Sequence, residues 1–262
     1  MDQVLQGRPV TAFEIIDGHA HLGRFHNFYI PANTAADMVR QMDRAGIRCC
    51  ISSGHAAIGP SPRIGNDMVI EAMREFPGRI YGYCCVNPNY PAQELRDELE
   101  RCFDAGMIGV KLHPCGHRYC VDGEGYRPAW EFAQERRACL LCHTAVTEPW
   151  DPPSVFDKLA AQYPNVKIIM GHSGFGYEGG RQCCELAKKH ANVHLDITGS
   201  IAYTDLLEQM VEGAGAGRVL FGTDVPFIDC RPQVGRVAFS RLDDSELELV
   251  LGGNARRLFG LG

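Results

Sequence analysis

Eight short apolar segments, spaced about every 30 residues, constrain the fold of this chain more than any other feature. They are Phe13–Ile16, Ile47–Ser52, Ile80–Val86, Ile108–Leu112, Ala138–His143, Val166–Met170, Val193–Ile197 and Arg218–Phe221. Each has the length of a strand and is too apolar to be half exposed, which predicts a parallel sheet covered on its outer side. Between them lie amphipathic stretches of helical period. Ala35–Ala45 puts Met38, Val39, Met42 and Ala45 on one stripe, and Ala92–Ala105 does the same with Leu95, Leu99, Cys102 and Phe103. Pro153–Tyr163 and Arg181–His190 are further helix candidates, and Asn254–Phe259 is expected to pack back as a tail helix. Gly or Pro marks many junctions, as at Ala45-Gly46, Pro77-Gly78 and Tyr163-Pro164.

Eight strand–helix units in 262 residues match one (β/α)8 TIM barrel, so residues 1–262 are read as one domain. The competing architecture is an open doubly wound sheet. That fold usually places a glycine-rich phosphate loop after its first strand, and Gly-x-Gly-x-x-Gly is absent at that place.

A net charge of -6 argues against nucleic-acid binding, which needs a basic face. Met1 to Thr11 has no apolar core segment, and no run approaches the roughly 20 apolar residues of a membrane helix. The expectation is a soluble cytoplasmic protein. Its twelve cysteines are then reduced and mostly packed as small hydrophobes. Cys139-Leu140-Leu141-Cys142 has the spacing of a zinc knuckle, but residues three apart on a strand face opposite sides. Cys139 should point with His143, and Cys142 away from it.

Polar residues gather where a barrel keeps its chemistry, at the C-terminal strand ends. Asp17-Gly18-His19-Ala20-His21 follows the first strand, and alternation puts His19 and His21 on one face, where two imidazoles can grip one metal ion. His143, His172 and Asp224 close later apolar runs. Buried groups of this kind are costly unless paired or metal bound, so the set predicts a divalent-metal enzyme.

These residues resemble the amidohydrolase superfamily, in particular the amidohydrolase-2 branch of metal-dependent hydrolases and aminocarboxymuconate-semialdehyde-type decarboxylases. The resemblance rests on Asp17–His21, Gly109-Val110-Lys111-Leu112-His113-Pro114, His143-Thr144, Gly171-His172-Ser173-Gly174, Gly222-Thr223-Asp224-Val225-Pro226 and the ending Gly252–Phe259. It implies that His19, His21 and His143 ligate a metal. It also implies that Asp224 touches the metal or its water, and that His172 is a second-metal ligand or a catalytic residue. One zinc ion is the expected cofactor, with a second ion or manganese as the variants. Lys111 stands where many superfamily members carry a carboxylated lysine that bridges two metals; pairing with a carboxylate or the substrate is the reading preferred here.

A bound divalent metal lowers the pKa of its water from about 15.7 towards about 7, so the leading expectation is hydrolysis of a C–N or C–O bond. Asp224 would move the proton and His172 would polarise the carbonyl. The alternative is non-oxidative decarboxylation on the same site; a weaker one is a ligand-binding barrel without turnover. Arg24, Arg63, Arg118 and Arg231 fall in predicted loops around the mouth, and Arg suits carboxylates. With Lys111 and His113 they are the candidate substrate contacts, and Phe25, Phe28, Tyr29, Tyr119 and Phe227 the candidate apolar wall. The expected partner is a small carboxylate substrate, with no nucleic acid and no membrane; a homodimer is allowed.

Overall fold

The computed structural model describes residues 1–27, 29–199, 203 and 205–262. Eight parallel strands form one sheet in sequential order. They are β1 (Ile15–Leu22), β2 (Ile47–Gly54), β3 (Ile80–Cys85), β4 (Gly109–Leu112), β5 (Cys139–His143), β6 (Lys167–Gly171), β7 (Val193–Asp196) and β8 (Val219–Leu220). The sheet curls round until its ends meet. Gly18 N donates to Phe221 O at 2.9 Å, Asp224 N to His19 O at 2.9 Å and His21 N to Val225 O at 2.8 Å. The result is a (β/α)8 TIM barrel, as the spacing of apolar segments predicts.

A covering helix of at least seven residues follows each strand: α1 (Ala35–Ala45), α2 (Pro62–Glu75), α3 (Ala92–Asp104), α4 (Arg127–Arg136), α5 (Phe156–Gln162), α6 (Gly176–Lys189), α7 (Leu206–Ala214) and α8 (Cys230–Ala238). Shorter helices lie at Asp2–Leu5, His55–Ile58, Pro114–His117 and Asp244–Glu248, and α9 (Asn254–Phe259) is the tail helix. Local chemistry sets their ends. Thr34 and Asp37 form a reciprocal capping box that starts α1. Gly46 ends it at φ 85, where an added Cβ would run into the backbone of Val10.

Two apolar layers follow from strand alternation. Ile16, Cys49, Ile51, Tyr83, Leu141, Ile169 and Leu220 fill the barrel interior, and Leu258 and Leu261 plug its lower, N-terminal end. Ile15, Cys50, Val110, Leu140, Ile168, Leu195 and Phe221 face outward against the helices. Cys139 is an interior residue whereas Cys142 belongs to the outer layer, as alternation requires. All twelve cysteines are free thiols. No helix is long and apolar enough to cross a membrane among the described residues.

Several boundaries differ from the sequence reading. The first strand is not Phe13–Ile16 but runs through Asp17–His21, because pairing with β2 and with residues 221–225 carries the ladder on. The last strand shrinks to two residues. Gly176, not Arg181, opens α6, after a kinked turn at His172–Gly174. Arg63 and Arg231 lie in α2 and α8 rather than in loops.

Candidate metal centre

The site is built from strand ends. His19 and His21 sit inside β1, His143 ends β5, His172 follows β6 and Asp224 lies four residues beyond β8. Strand alternation turns the two β1 imidazoles to the same side, with ring centroids 5.2 Å apart. Asp224 Oδ1 lies 3.4 Å from His19 Nε2 and 3.3 Å from His21 Nε2, and Asp224 Oδ2 lies 3.9 Å from His172 Nδ1. His19, His172 and Asp224 offer ligand atoms that all lie within 4.8 Å of one another. The ring of His143 is 4.9 Å from that of His172.

The second nitrogens are tied down. His19 Nδ1 meets Asp196 Oδ2 at 2.5 Å, and His21 Nδ1 meets Ser53 Oγ at 2.9 Å. His143 Nδ1 meets Asp151 Oδ2 at 2.8 Å, and His172 Nδ1 donates to Thr198 O at 3.1 Å. Four imidazoles are thus held at Nδ1, which sets their orientation; the partners of His19, His143 and His172 can only accept, so they also fix the tautomer and leave Nε2 as the acceptor, whereas the Ser53 hydroxyl can donate to or accept from His21. A carboxylate or carbonyl at the far nitrogen is the usual support of a metal-binding histidine.

Electrostatics agree. Burial pushes His19 well below its ordinary value, with Lys111 adding to the effect, and burial also lowers His21. Burial brings His172 down to about 4. Neutral imidazole is the form that binds a metal. Burial alone would raise Asp224, but contact with His172, His19 and His21 outweighs it and keeps the carboxyl well below its ordinary value, so that a proton entering this cluster settles on an imidazole before the carboxylate.

The donor set fits a divalent ion. Asp224 Oδ1 is buried and accepts no hydrogen bond. Ligand atoms placed about 2.1 Å from one tetrahedral ion lie about 3.4 Å apart, and Asp224 Oδ1 stands at that spacing from both His19 Nε2 and His21 Nε2. Lys111 also competes for this place. It is fully buried, and its Nζ lies 2.8 Å from His19 Nε2.

The remaining predicted residues are spread out. His113 stacks on His143 at 4.4 Å and accepts from Gly116 N. Arg24 and Arg118 are exposed in loops near the mouth. Arg63 points along the outside of the barrel to Glu98 and Asp67, and Arg231 pairs with Asp229. Phe25 packs 5.5 Å from Phe227 and 5.1 Å from His55, which stacks on His21. Tyr29 is exposed and Tyr119 packs against Tyr126, while Phe28 lies outside the described residues.

Sequence reasoning missed Asp151, Ser53 and Phe175, which stacks on His172 at 4.5 Å, noted Asp196 only as a strand end, and read His55 as a loop residue open to solvent or substrate, whereas it is buried against His21. The weak signal for Phe175 is the glycine-rich turn around it. His172, Ser173 and Phe175 all take positive φ, a strained arrangement that clusters at ligand sites.

A sequence profile of the family described as amidohydrolase matches residues 16–261. A gamma-resorcylate decarboxylase of Polaromonas sp. strain JS666 is 26% identical over 285 residues, covering 85% of this chain and 86% of the relative. A TIM-barrel protein of Bordetella bronchiseptica superposes with a TM-score of 0.76 at 17% identity, covering 95% of this chain and 99% of that one. A dihydroxybenzoic acid decarboxylase of Polaromonas sp. JS666, with bound manganese and 2-nitroresorcinol, gives a TM-score of 0.73 at 20% identity, covering 95% and 97%. These findings correct the expectation of a hydrolase, since the relatives are named as decarboxylases. The metal shell is common to both reactions, so the ligand residues could not separate them. Nor do they single out zinc, since manganese occupies the related structure.

Proposed function

This chain belongs to the amidohydrolase family, and from that premise we propose that it is a metal-dependent, non-oxidative decarboxylase of small aromatic carboxylic acids. The observation that carries the reading is a buried His–His–Asp cluster walled by rings, with Phe175 on His172 and Phe25 against Phe227 beside His55. A flat aromatic acid suits such walls. The decarboxylase names of the curated relatives support the same choice.

His19, His21, Asp224 and His172 would hold the ion, with His143 beside them; manganese and zinc both suit imidazole and carboxylate donors. When bound, the ion supplies positive charge that orients the substrate and stabilises charge developing on it. Lys111 exchanges its contact with His19 for the substrate carboxylate. Decarboxylation replaces a carbon–CO2 bond by a carbon–hydrogen bond, so one proton must reach the ring carbon as CO2 leaves. Asp224, held as a carboxylate by its histidines, takes that proton from an acidic group of the substrate or from water and returns it to the carbon. The apolar rings keep bulk water from the reacting face. Free thiols throughout the chain support a reducing, cytoplasmic setting.

The test is CO2 release from 2,6-dihydroxybenzoate and related hydroxylated benzoates by protein loaded with manganese or zinc. Equal amounts of CO2 and decarboxylated phenol are expected. Metal-loaded protein that leaves every such acid intact would overturn the reading.

A further inference from the structure

The barrel carries a second concave feature at its opposite end. A cleft of about 700 Å³ opens at the N-terminal ends of β6 and β7, beside the turn before β8 and the tail helix α9. Lys167, His194, Arg218 and Arg257 line it, one from each of these four elements. This convergence is unusual in a chain of net charge -6.

Carbonyl oxygens and one amide oxygen, rather than carboxylates, hold the three cations. Lys167 Nζ donates to Leu258 O at 2.6 Å. Arg218 uses one terminal nitrogen on the carbonyls of Ala191 and Val193. Arg257 uses one on Gly217 O, at 2.8 Å, and on the side-chain oxygen of Asn254. Among the described residues, no carboxylate pairs with any of them. At the rim, Lys189 and His190 share Asp157. The guanidinium groups are therefore anchored and oriented by carbonyls while their charge and remaining N–H donors stay available.

His194 gives an independent indication. It is 6% exposed and lines the cleft, and its Nδ1 has no hydrogen-bond partner. Buried polar atoms are nearly always paired, so such an orphan marks a place where a partner is missing. Burial pushes this imidazole down to about 3, and the nearby charges of Arg218, Arg257 and Lys167 act in the same direction. Fixed cations in a concave site focus their field on an anion. Arginine forks match the oxygens of a tetrahedral oxyanion.

We propose that this lower cleft is a binding site for a phosphate group, held by Arg218, Arg257 and Lys167, with the buried ring of His194 forming part of its floor. The volume exceeds that of the bare ion, and Leu258, Ala160 and Pro164 add an apolar wall, so a phosphate monoester of a small organic molecule also fits. The site lies across the barrel from the metal centre and does not depend on the reaction performed there.

Calorimetric titration of the metal-loaded protein at fixed ionic strength tests this, with inorganic phosphate in one arm and adenosine 5′-monophosphate in the other. The variants are the double change Arg218→Gln with Arg257→Gln, and Gly217→Glu. An added Cβ at Gly217 meets nothing within 4 Å, so the second variant brings a negative charge into the cleft without a clash even if the first folds poorly. Wild-type binding near 1 mM or tighter, weakened at least about tenfold in Gly217→Glu and in whichever double variant folds, upholds the site. The tighter arm then identifies the source of the phosphate. Binding that is equal in wild type and variants would place the ion at the metal centre and overturn the proposal, as would no binding at about 10 mM.

Discussion

Asp196 Oδ2 sits 2.5 Å from His19 Nδ1, although 177 residues separate the two in the chain. Both side chains are buried, and Thr198 N donates to the other carboxylate oxygen. The pair fixes the ring of His19 so that Nε2 faces Asp224. Asp196→Asn keeps the shape but weakens this support, and metal affinity is expected to fall about 10–100-fold. Competition with a chromogenic chelator measures it, while circular dichroism checks that the barrel stays folded. Wild-type affinity in a folded variant would show that Asp196 does not position His19.

Asp224 is both a ligand candidate and the proton carrier in the proposed reaction. Asp224→Asn is expected to lower the rate of CO2 release about 10²–10⁴-fold. Metal content is measured on the same sample, so that loss of the ion is separated from loss of the proton step. Turnover at the wild-type rate would remove Asp224 from the mechanism.

Gly222 is needed for lack of room. A Cβ there would collide with Thr198 Oγ1 and come within 2.8 Å of His19 Cβ and 3.1 Å of Asp196 Oδ1. Gly222→Ala should cost about 1–3 kcal/mol through overpacking and should also disturb the His19–Asp196 pair. A drop in midpoint on urea unfolding, together with weaker metal binding, is the expected signature.

Chelation should destabilise the protein. A ligand present at about 1,000 times its dissociation constant adds about 4 kcal/mol to the folded state, or about 10 °C in Tm for a chain of this size. Thermal unfolding with a chelator, then with excess manganese or zinc, tests this. A Tm indifferent to both ions would argue against a metal in the cluster.

Acid should weaken the fold by way of His117, which lies outside the metal cluster. Burial pushes it down to about 4; Ala57 O accepts from one ring nitrogen at 3.2 Å and Tyr126 Oη lies 2.7 Å from the other. The unfolded chain takes up a proton near pH 6.5 while the folded one resists until about 4. Stability is therefore complete above pH 6.5 and falls as pH drops towards 4, by about 1.4 kcal/mol per pH unit for this one group. His117→Gln should have a shallower decline over that window, read from urea midpoints at several pH values, whatever its stability at pH 7.

The barrel is legible in the amino-acid order alone, because strand and helix periods are local properties of the chain and eight units of this length close in one way. That order also placed His19 and His21 on one face, since alternation along a strand needs no partner. The remaining contacts exist only once the chain has closed. Only the closed barrel puts Asp196 behind His19, Ser53 behind His21 and Lys111 against His19 Nε2, contacts that span 177, 32 and 92 residues. Only helix placement turns Arg63 outward to Glu98, away from the mouth where a loop would have kept it. The lower cleft was equally hidden, because Lys167, His194, Arg218 and Arg257 belong to four separate segments. Periodicity reports which face a residue takes on its own element, whereas pairing across the barrel depends on how eight elements close.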